Sequence, residues 1–500
     1  MKTSITAVAM IVAATVFAAC AGGSGASSDP YAIDESFLQS EKPAPAEALP
    51  EGAVPAKGAR LVLSRSGAEF SDEAAYELPG GDPEAIDIDA LEPAQRIAGF
   101  GGAFNEAGWK ALHALSPERR DAAMRAAFGP GGLDLGIGRI PIGASDYALS
   151  RYALAPEGDY AMEGFSLSRD EELLIPYVKA ALALRPDLWL WASAWSPPPF
   201  LKTNGQWEGG KMRDEPEAYA AYALYLEKFV RGYEERGMDI CMVVPQNEPL
   251  TLTGYPSCEW SPEQFRVFIR DYLGPRFEEG AVPAEIWIGT INDARDGLHV
   301  DVTLSDPEAA RYVKGLGFQW DGLPVARRMA RERPDLPIMQ TETDCGNWHW
   351  KPGFNPDRPQ NDYAYAAYTW RKMRDWFSAG VESYLLWNIV LDEEGKNIDK
   401  RFPWPQNSAI VADTRTGEVI LTPMYWAFKH FSALVAKDAR YLKGDIWGEA
   451  VAFKNPDGSY AVQLINSWDS KRVEKVRVGG RVFAVELPPE SFATLIVEPK

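Results

Sequence analysis

The chain has 500 residues, 46% of them hydrophobic and 24% charged, with a formal net charge of −20. A balance that acidic repels nucleic-acid phosphates and anionic headgroups, so nucleic-acid binding and a polybasic membrane-surface role are excluded and a neutral ligand fits better. The 17 Trp, 20 Tyr and 21 Phe supply flat apolar rings of the kind that stack on sugar C–H faces, although most such rings pack a core.

At the N-terminus Lys2 precedes an uncharged, largely apolar run, Ile5 to Phe17, which leads into Ala18-Ala19-Cys20. The run is shorter than the roughly 20 residues a bilayer-spanning helix needs and ends in small residues, as a secretory cleavage site does. Phe17-Ala18-Ala19-Cys20 resembles a bacterial lipobox, which implies that residues 1–20 are a lipoprotein signal peptide. Cys20 would then carry the lipid of an exported, envelope-anchored protein that meets the membrane only through that lipid. Residues 21–57, rich in Ala, Gly, Ser, Pro and Glu, read as a solvated tether. About 440 residues remain, enough for a large core without disulfides. Beyond Cys20 the cysteines are Cys241, Cys258 and Cys345, with no paired spacing.

Residues 58–95 contain strand-like runs at Arg60 to Ser64 and Ala85 to Ile88. From residue 96 to 434, β-rich runs alternate with amphipathic stretches eight times, the pattern of parallel strands with helical crossovers. The expected strands are Arg96 to Phe100, Leu135 to Ile142, Leu188 to Ala194, Ile240 to Val244, Ile286 to Thr290, Gly315 to Trp320, Pro337 to Thr341 and Ser383 to Ile389. Helix signals include Pro216 to Glu235, Pro262 to Leu273 after Ser261, and Tyr363 to Phe377. Eight such units predict a (β/α)8 TIM barrel with long loops. An open doubly wound sheet is the alternative, but Gly99-Phe100-Gly101-Gly102-Ala103 lacks the G-x-G-x-x-G spacing of a phosphate loop. Residues 435–500 turn to short alternating strands with tight turns such as Asn455-Pro456-Asp457-Gly458. They predict an antiparallel β-sandwich that the N-terminal strands join.

Catalytic groups in a barrel of this kind come from the C-terminal ends of strands. The fourth strand ends in Gln246-Asn247-Glu248-Pro249 and the seventh in Glu342-Thr343-Asp344, so each delivers one carboxylate from opposite sides of the mouth. Two carboxylates across a cleft are what glycoside hydrolysis uses, one protonated to release the leaving oxygen and one ionised to attack. Asn247, directly before the acid, is placed to hydrogen-bond a sugar 2-hydroxyl.

Gln246-Asn247-Glu248-Pro249 with Thr341-Glu342 resembles glycoside hydrolase family 30, the group that contains lysosomal glucosylceramidase and bacterial and fungal β-1,6-glucanases. The resemblance extends to Gly99-Phe100-Gly101-Gly102-Ala103-Phe104, Arg139-Ile140-Pro141 through Ser145-Asp146, Ser193-Ala194-Trp195-Ser196-Pro197-Pro198, Leu201-Lys202-Thr203-Asn204 and Trp387-Asn388. It implies a retaining β-glycosidase with Glu342 as nucleophile, Glu248 as general acid/base and Arg139 supporting the nucleophile. Asp146, Trp195 and Trp387 would then bind the sugar. Where the glucosylceramidase branch reads His-Trp-Tyr after strand six, this chain has Gln319-Trp320-Asp321, so Gln319 or Trp320 is expected to meet the sugar differently.

Trp348, with His349 and Trp350, is a candidate subsite wall, Trp404 another, and Tyr255 and Trp260 candidates for the leaving-group side. His113, His299, His349 and His430 share no ligand spacing, so no metal or cofactor is expected. Cys345 reads as a packing residue, since no histidine motif accompanies it. The expected substrate is a β-linked glucan, oligosaccharide or glycoside, β-1,6-glucan first. Endo-β-1,6-galactanase, β-xylosidase and glucosylceramidase activities stay open, and the rival of another class is a non-catalytic glycan-binding surface lipoprotein.

Overall fold

The structure is a computed structural model that describes residues 47–351, 354–358, 360–444 and 448–499. The expected signal peptide, its Cys20 and most of the expected tether lie outside the described residues. Eight parallel strands close into a barrel: β1 Gly99–Ala103, β2 Ile137–Ile142, β3 Trp189–Ala194, β4 Ile240–Val244, β5 Glu285–Ile291, β6 Val313–Gln319, β7 Ile338–Glu342 and β8 Ser383–Asn388. β8 pairs with β1 from Ser383 opposite Gly99, which completes the ring. The glycines of β1 serve packing, because a Cβ on Gly101 would collide with the Ile137 carbonyl of β2. Trp191, Met242, Trp287, Met339 and Leu385 fill the barrel interior, a plug of side chains and not a pore.

Helices on the outside bury one apolar face each. Pro216–Glu234 lays Tyr219, Tyr222, Leu226 and Phe229 inward. Pro262–Val267 starts in the capping box that the Ser261-Pro262 signal announced: Gln264 N donates to Ser261 Oγ and Ser261 N to Gln264 Oε1. Tyr363–Ala379 stops at Gly380, whose φ of 106° is the left-handed conformation that ends a helix.

The termini build the second layer together. Ala59–Arg65 lies between Ala68–Glu73 and the C-terminal strand Ser491–Val497 in a seven-stranded sheet. A five-stranded sheet built on Arg472–Val478 and Arg481–Leu487 faces it. Leu63, Val462, Phe483 and Leu495 lie in the core between the two. Helix Pro423–Ser432 joins this sandwich to the barrel, and its buried His430 sits 2.7 Å from Thr494 Oγ1 and 3.0 Å from Ser64 Oγ.

Three expectations need correction. Arg96 does not open the first barrel strand: Glu92–Arg96 pairs antiparallel with Arg440–Lys443 in the sandwich, and β1 begins at Gly99. The tether ends before residue 57, because Val54–Pro55 pairs with Tyr76–Glu77. Trp320 lies beyond β6, in a short 3-10 turn from Trp320 to Gly322. A small sheet on the loop after β8, Val390–Asp392, Ile410–Ala412 and Val419–Leu421, was not expected at all.

Candidate active site

β4 and β7 each end in a glutamate whose backbone the neighbouring strands hold. Asn247 N donates to Ala194 O of β3 at 2.6 Å and Glu248 N to Thr290 O of β5 at 3.2 Å. Glu248 has φ +49°, a conformation that costs about 1–3 kcal/mol in a non-glycine residue and persists only where its surroundings hold it. The turn is held further by Gln246, whose amide nitrogen donates to Trp195 O at 2.8 Å.

Arg139, fully buried and third of the six residues of β2, ties the groups together. Its Nη1 donates to Glu342 Oε2 at 2.6 Å, its Nη2 to Asn247 Oδ1 at 2.7 Å and its Nε to Ser193 Oγ at 3.0 Å. The guanidinium carbon lies 4.5 Å from the Trp195 ring centroid and 5.4 Å from that of Trp387. Those indoles stack on each other at 5.1 Å and 29°. Asn247 Oδ1 also accepts from Thr290 Oγ1 at 2.6 Å. Both donors fall on the oxygen, so the amide nitrogen is left to face elsewhere.

Gln319 stands opposite. Its Nε2 donates to Glu248 Oε1 at 2.9 Å and its Oε1 accepts from Thr341 Oγ1 at 3.0 Å. Gln319 is buried, and its amide is oriented by Glu248 on one side and Thr341 on the other. Trp320, at φ +50°, has a buried indole nitrogen with no partner among the described residues at normal hydrogen-bond geometry. That indole still acts on the Glu342 carboxyl and lowers its pKa.

The two glutamates are electrostatically unequal. Burial first, then the charge of Glu342, pushes the Glu248 carboxyl above the usual carboxylate range. Burial raises Glu342 as well, but Arg139 opposes it through both charge and hydrogen bond. Asp146, 3% exposed, is pushed well up by burial and next by Glu342, and its Oδ1 accepts no hydrogen bond from any described residue. Burial and then the charges of Glu248, Asp146 and Glu342 raise the Tyr255 hydroxyl, and its ring packs against the aromatic cluster of Trp195 and Trp387.

Trp348 and Trp320 pack against the same aromatic cluster as Trp195, Trp387 and Trp404, with Trp348 edge-on to Tyr368 at 5.4 Å. Trp260 does not face the mouth; it is fully buried against Tyr222 and Phe268, its indole donating to Gln246 Oε1 at 3.1 Å. Asn388 is a tie between Asn105 and Gln406. Cys241, Cys258 and Cys345 are all free. Cys345 is buried, and burial, then Glu342, pushes its thiol well up, so it is no thiolate nucleophile. No group of three or more metal-ligating side chains occurs among the described residues. Thr290 and Ser193, which orient Asn247 and Arg139, were missed from the sequence, since a lone hydroxyl at a strand end carries no pattern.

A parallel (β/α)8 barrel that gathers two buried glutamates, an arginine and stacked indoles at the C-terminal ends of its strands defines a glycoside hydrolase. Residues 97–435 match the glycosyl hydrolase family 30 TIM-barrel domain and residues 448–495 the family's beta sandwich domain. The chain belongs to glycosyl hydrolase family 30, and with it to the retaining β-glycosidases. It is 31% identical to the lysosomal acid glucosylceramidase of Mus musculus over 74% of this chain and 75% of that protein. To the endo-1,6-beta-D-glucanase neg1 of Aspergillus fumigatus it is 23% identical, over 81% and 85%. Among solved structures, SrfJ from Salmonella typhimurium superposes with a TM-score of 0.79 at 26% identity, covering 88% of this chain and all of that one. The endo-beta1,6-glucanase BT3312 shares the fold at a TM-score of 0.75 and 23% identity, over 88% and 100%.

Proposed function

We propose that Glu342 is the nucleophile and Glu248 the general acid/base of a double displacement on a β-glucosyl unit. The observation that carries the reading is the asymmetry of the pair: Glu342 holds a guanidinium and Glu248 only a neutral amide. The ion pair keeps Glu342 ionised to attack C1, while burial and then the charge of Glu342 keep a proton on Glu248 for the departing glycosidic oxygen. In the second half Glu248 takes a proton from the water that attacks C1 and frees Glu342.

The surrounding groups have matching tasks. Asn247, its oxygen held by Arg139 and Thr290, offers its amide N–H to the 2-hydroxyl. Asp146 offers an unsatisfied oxygen to hydroxyls at the far end of the ring, and Trp387 and Trp195 supply the apolar floor. Relatives named for glucosylceramide and for 1,6-β-D-glucan support β-glucosides or β-glucans as the substrate class, β-1,6 linkage first. Gln319 and Asp321, standing where the glucosylceramidase branch has His and Tyr, argue against ceramide glycosides. The lipobox-like segment ending at Cys20 supports an exported enzyme anchored to the envelope, and Cys20→Ala should then release activity from the membrane fraction.

A panel of aryl β-glycosides tests the reading. The protein should turn over the glucoside, and Glu342→Gln should reduce turnover to background. A 2-deoxy-2-fluoro glucoside should label the peptide that contains Glu342. An active Glu342 variant, or label on another residue, would end the assignment, and a protein inert toward every glycoside would be a glycan-binding lipoprotein.

A further inference from the structure

The loop after β8 does not stay on its own side of the barrel. Ile398 N donates to Asp146 O of the loop after β2 at 2.8 Å, and two residues on, Lys400 N donates to Gly254 O of the loop after β4 at 2.9 Å. Gly254 N returns a bond to Asp399 Oδ2 at 3.1 Å, and a side chain at Gly254 would collide with that carboxylate. Arg151, on the β2 loop, locks the crossing: its Nη2 donates to both Gly254 O at 2.8 Å and Ile398 O at 3.0 Å. Glu208 of the β3 loop then takes Arg151 Nε on one side and Lys400 Nζ, at 2.8 Å, on the other. Four loops are thus stitched into one rim over the arc from β8 through β2 and β3 to β4.

Glu342 at the end of β7 and Glu248 just past β4, which Gln319 of β6 holds, mark where C1 sits, and the unsatisfied oxygen of Asp146 belongs to the loop after β2, the strand across the barrel from β6. A ring with C1 at the glutamates and its far hydroxyls at Asp146, as in the reading above, lies beside the segment that Ile398 pins to the Asp146 carbonyl. The arc from β5 to β7 offers the exit, where Trp320 and Trp348 are only half-buried and Trp350 is 55% exposed.

We propose that the enzyme is exo-acting: the rim built by Arg151, Glu208, Gly254 and residues 398–400 makes the glycone site a blind pocket that takes one terminal, unsubstituted sugar. Each turnover breaks the terminal C1–O bond, water giving its hydroxyl to C1 and a proton to the departing oxygen. The inference rests on the hydrolase reading above, and one set of probes separates the two. Aryl β-glucoside reports the chemistry. Aryl β-disaccharides in 1,3, 1,4 and 1,6 linkage, with the hydroxyls of the terminal ring methylated, report room beyond the pocket, since aryl release from them requires a second sugar where the rim stands.

The expected result is turnover of the monosaccharide probe and aryl release from the blocked disaccharides slower by about 100-fold or more, because the rim would clash with the second ring. Release of aryl alcohol from any blocked disaccharide at a rate comparable with the glucoside overturns the blind pocket while leaving the hydrolase intact. No turnover of either overturns the hydrolase and the inference with it. Arg151→Ser with Lys400→Ser, which unties the rim, should raise release from a blocked disaccharide relative to release from the aryl glucoside, and an unchanged ratio would overturn the role of the rim. The wild-type comparison decides by itself if that variant does not fold.

Discussion

Arg139 connects three strands to one carboxylate. Its charge is what lowers the Glu342 carboxyl against the pull of burial, so Arg139→Gln should raise the pKa of the free enzyme's nucleophile. Since Glu342 must be ionised to attack, the acidic limb of the kcat/KM profile should move up by about 1–3 pH units; an unmoved limb would mean that Arg139 serves packing alone. Glu248 governs the other limb. It must be protonated to act, its pKa is raised in the fold, and activity should fall as pH climbs through that value. Glu248→Ala should flatten the alkaline limb and cost about 10²–10⁴-fold on poor leaving groups. Azide should then restore turnover of a dinitrophenyl glycoside and yield a β-glycosyl azide, whereas an α-product would contradict the assigned roles. Glu248 and Glu342 could be singled out because each follows an apolar strand, and Asn247 by its place directly before Glu248, whereas Arg139, third of the six residues of β2, stood out only through the family resemblance. The tie of Gln319 to Glu248 and Thr341 could not be read, because nothing in a sequence says which partners orient an amide.

At the scale of elements, the barrel strands could be read because burial on both faces makes them continuous apolar runs. Glu92–Arg96 could not be read as a strand: it lies at a sheet edge with Pro93 inside it and has no apolar alternation. The three-residue strands on the loop after β8 are too short to show a period. The loops are where most of the site's precision is built, and Lys202 shows how. It is fully buried, and its Nζ donates to Ser196 Oγ at 3.0 Å, Trp207 O at 2.8 Å and Ser257 O at 2.7 Å, tying the loop after β3 to the one after β4. Lys202→Met keeps the bulk but strands two carbonyls and a hydroxyl, at a cost of about 2–4 kcal/mol. The thermal midpoint should drop, and KM for an aryl glycoside should rise through Tyr255 on the loosened loop. A variant as stable as wild type would show that water replaces the ammonium.

For the whole molecule the decisive contact is the junction of barrel and sandwich, where burial pushes His430 down from 6.5 to about 3. The ring is therefore neutral in the fold at any pH where the enzyme is handled, and it faces hydroxyls on both sides. Above pH 6.5 the folded and unfolded chains both hold it neutral, so it adds no pH dependence there. Below 6.5 the unfolded chain takes up a proton that the fold refuses, and stability is lost progressively toward pH 3. Between pH 7 and pH 5 the loss amounts to about 2 kcal/mol. Asp170 and Asp296, both pushed up to about 7 by burial, run the other way. They keep a proton that the unfolded chain releases above about pH 4, so they weaken the fold as pH rises. A bare pH–stability curve mixes these opposing terms, but a comparison with His430→Gln cancels the carboxyl contribution and keeps a hydrogen-bonding side chain at the junction. The variant should be less stable than wild type at pH 7 and should close that gap by about 2 kcal/mol at pH 5 in urea unfolding; a gap that stays constant would mean the imidazole titrates in the fold and the junction is wetter than the structure has it.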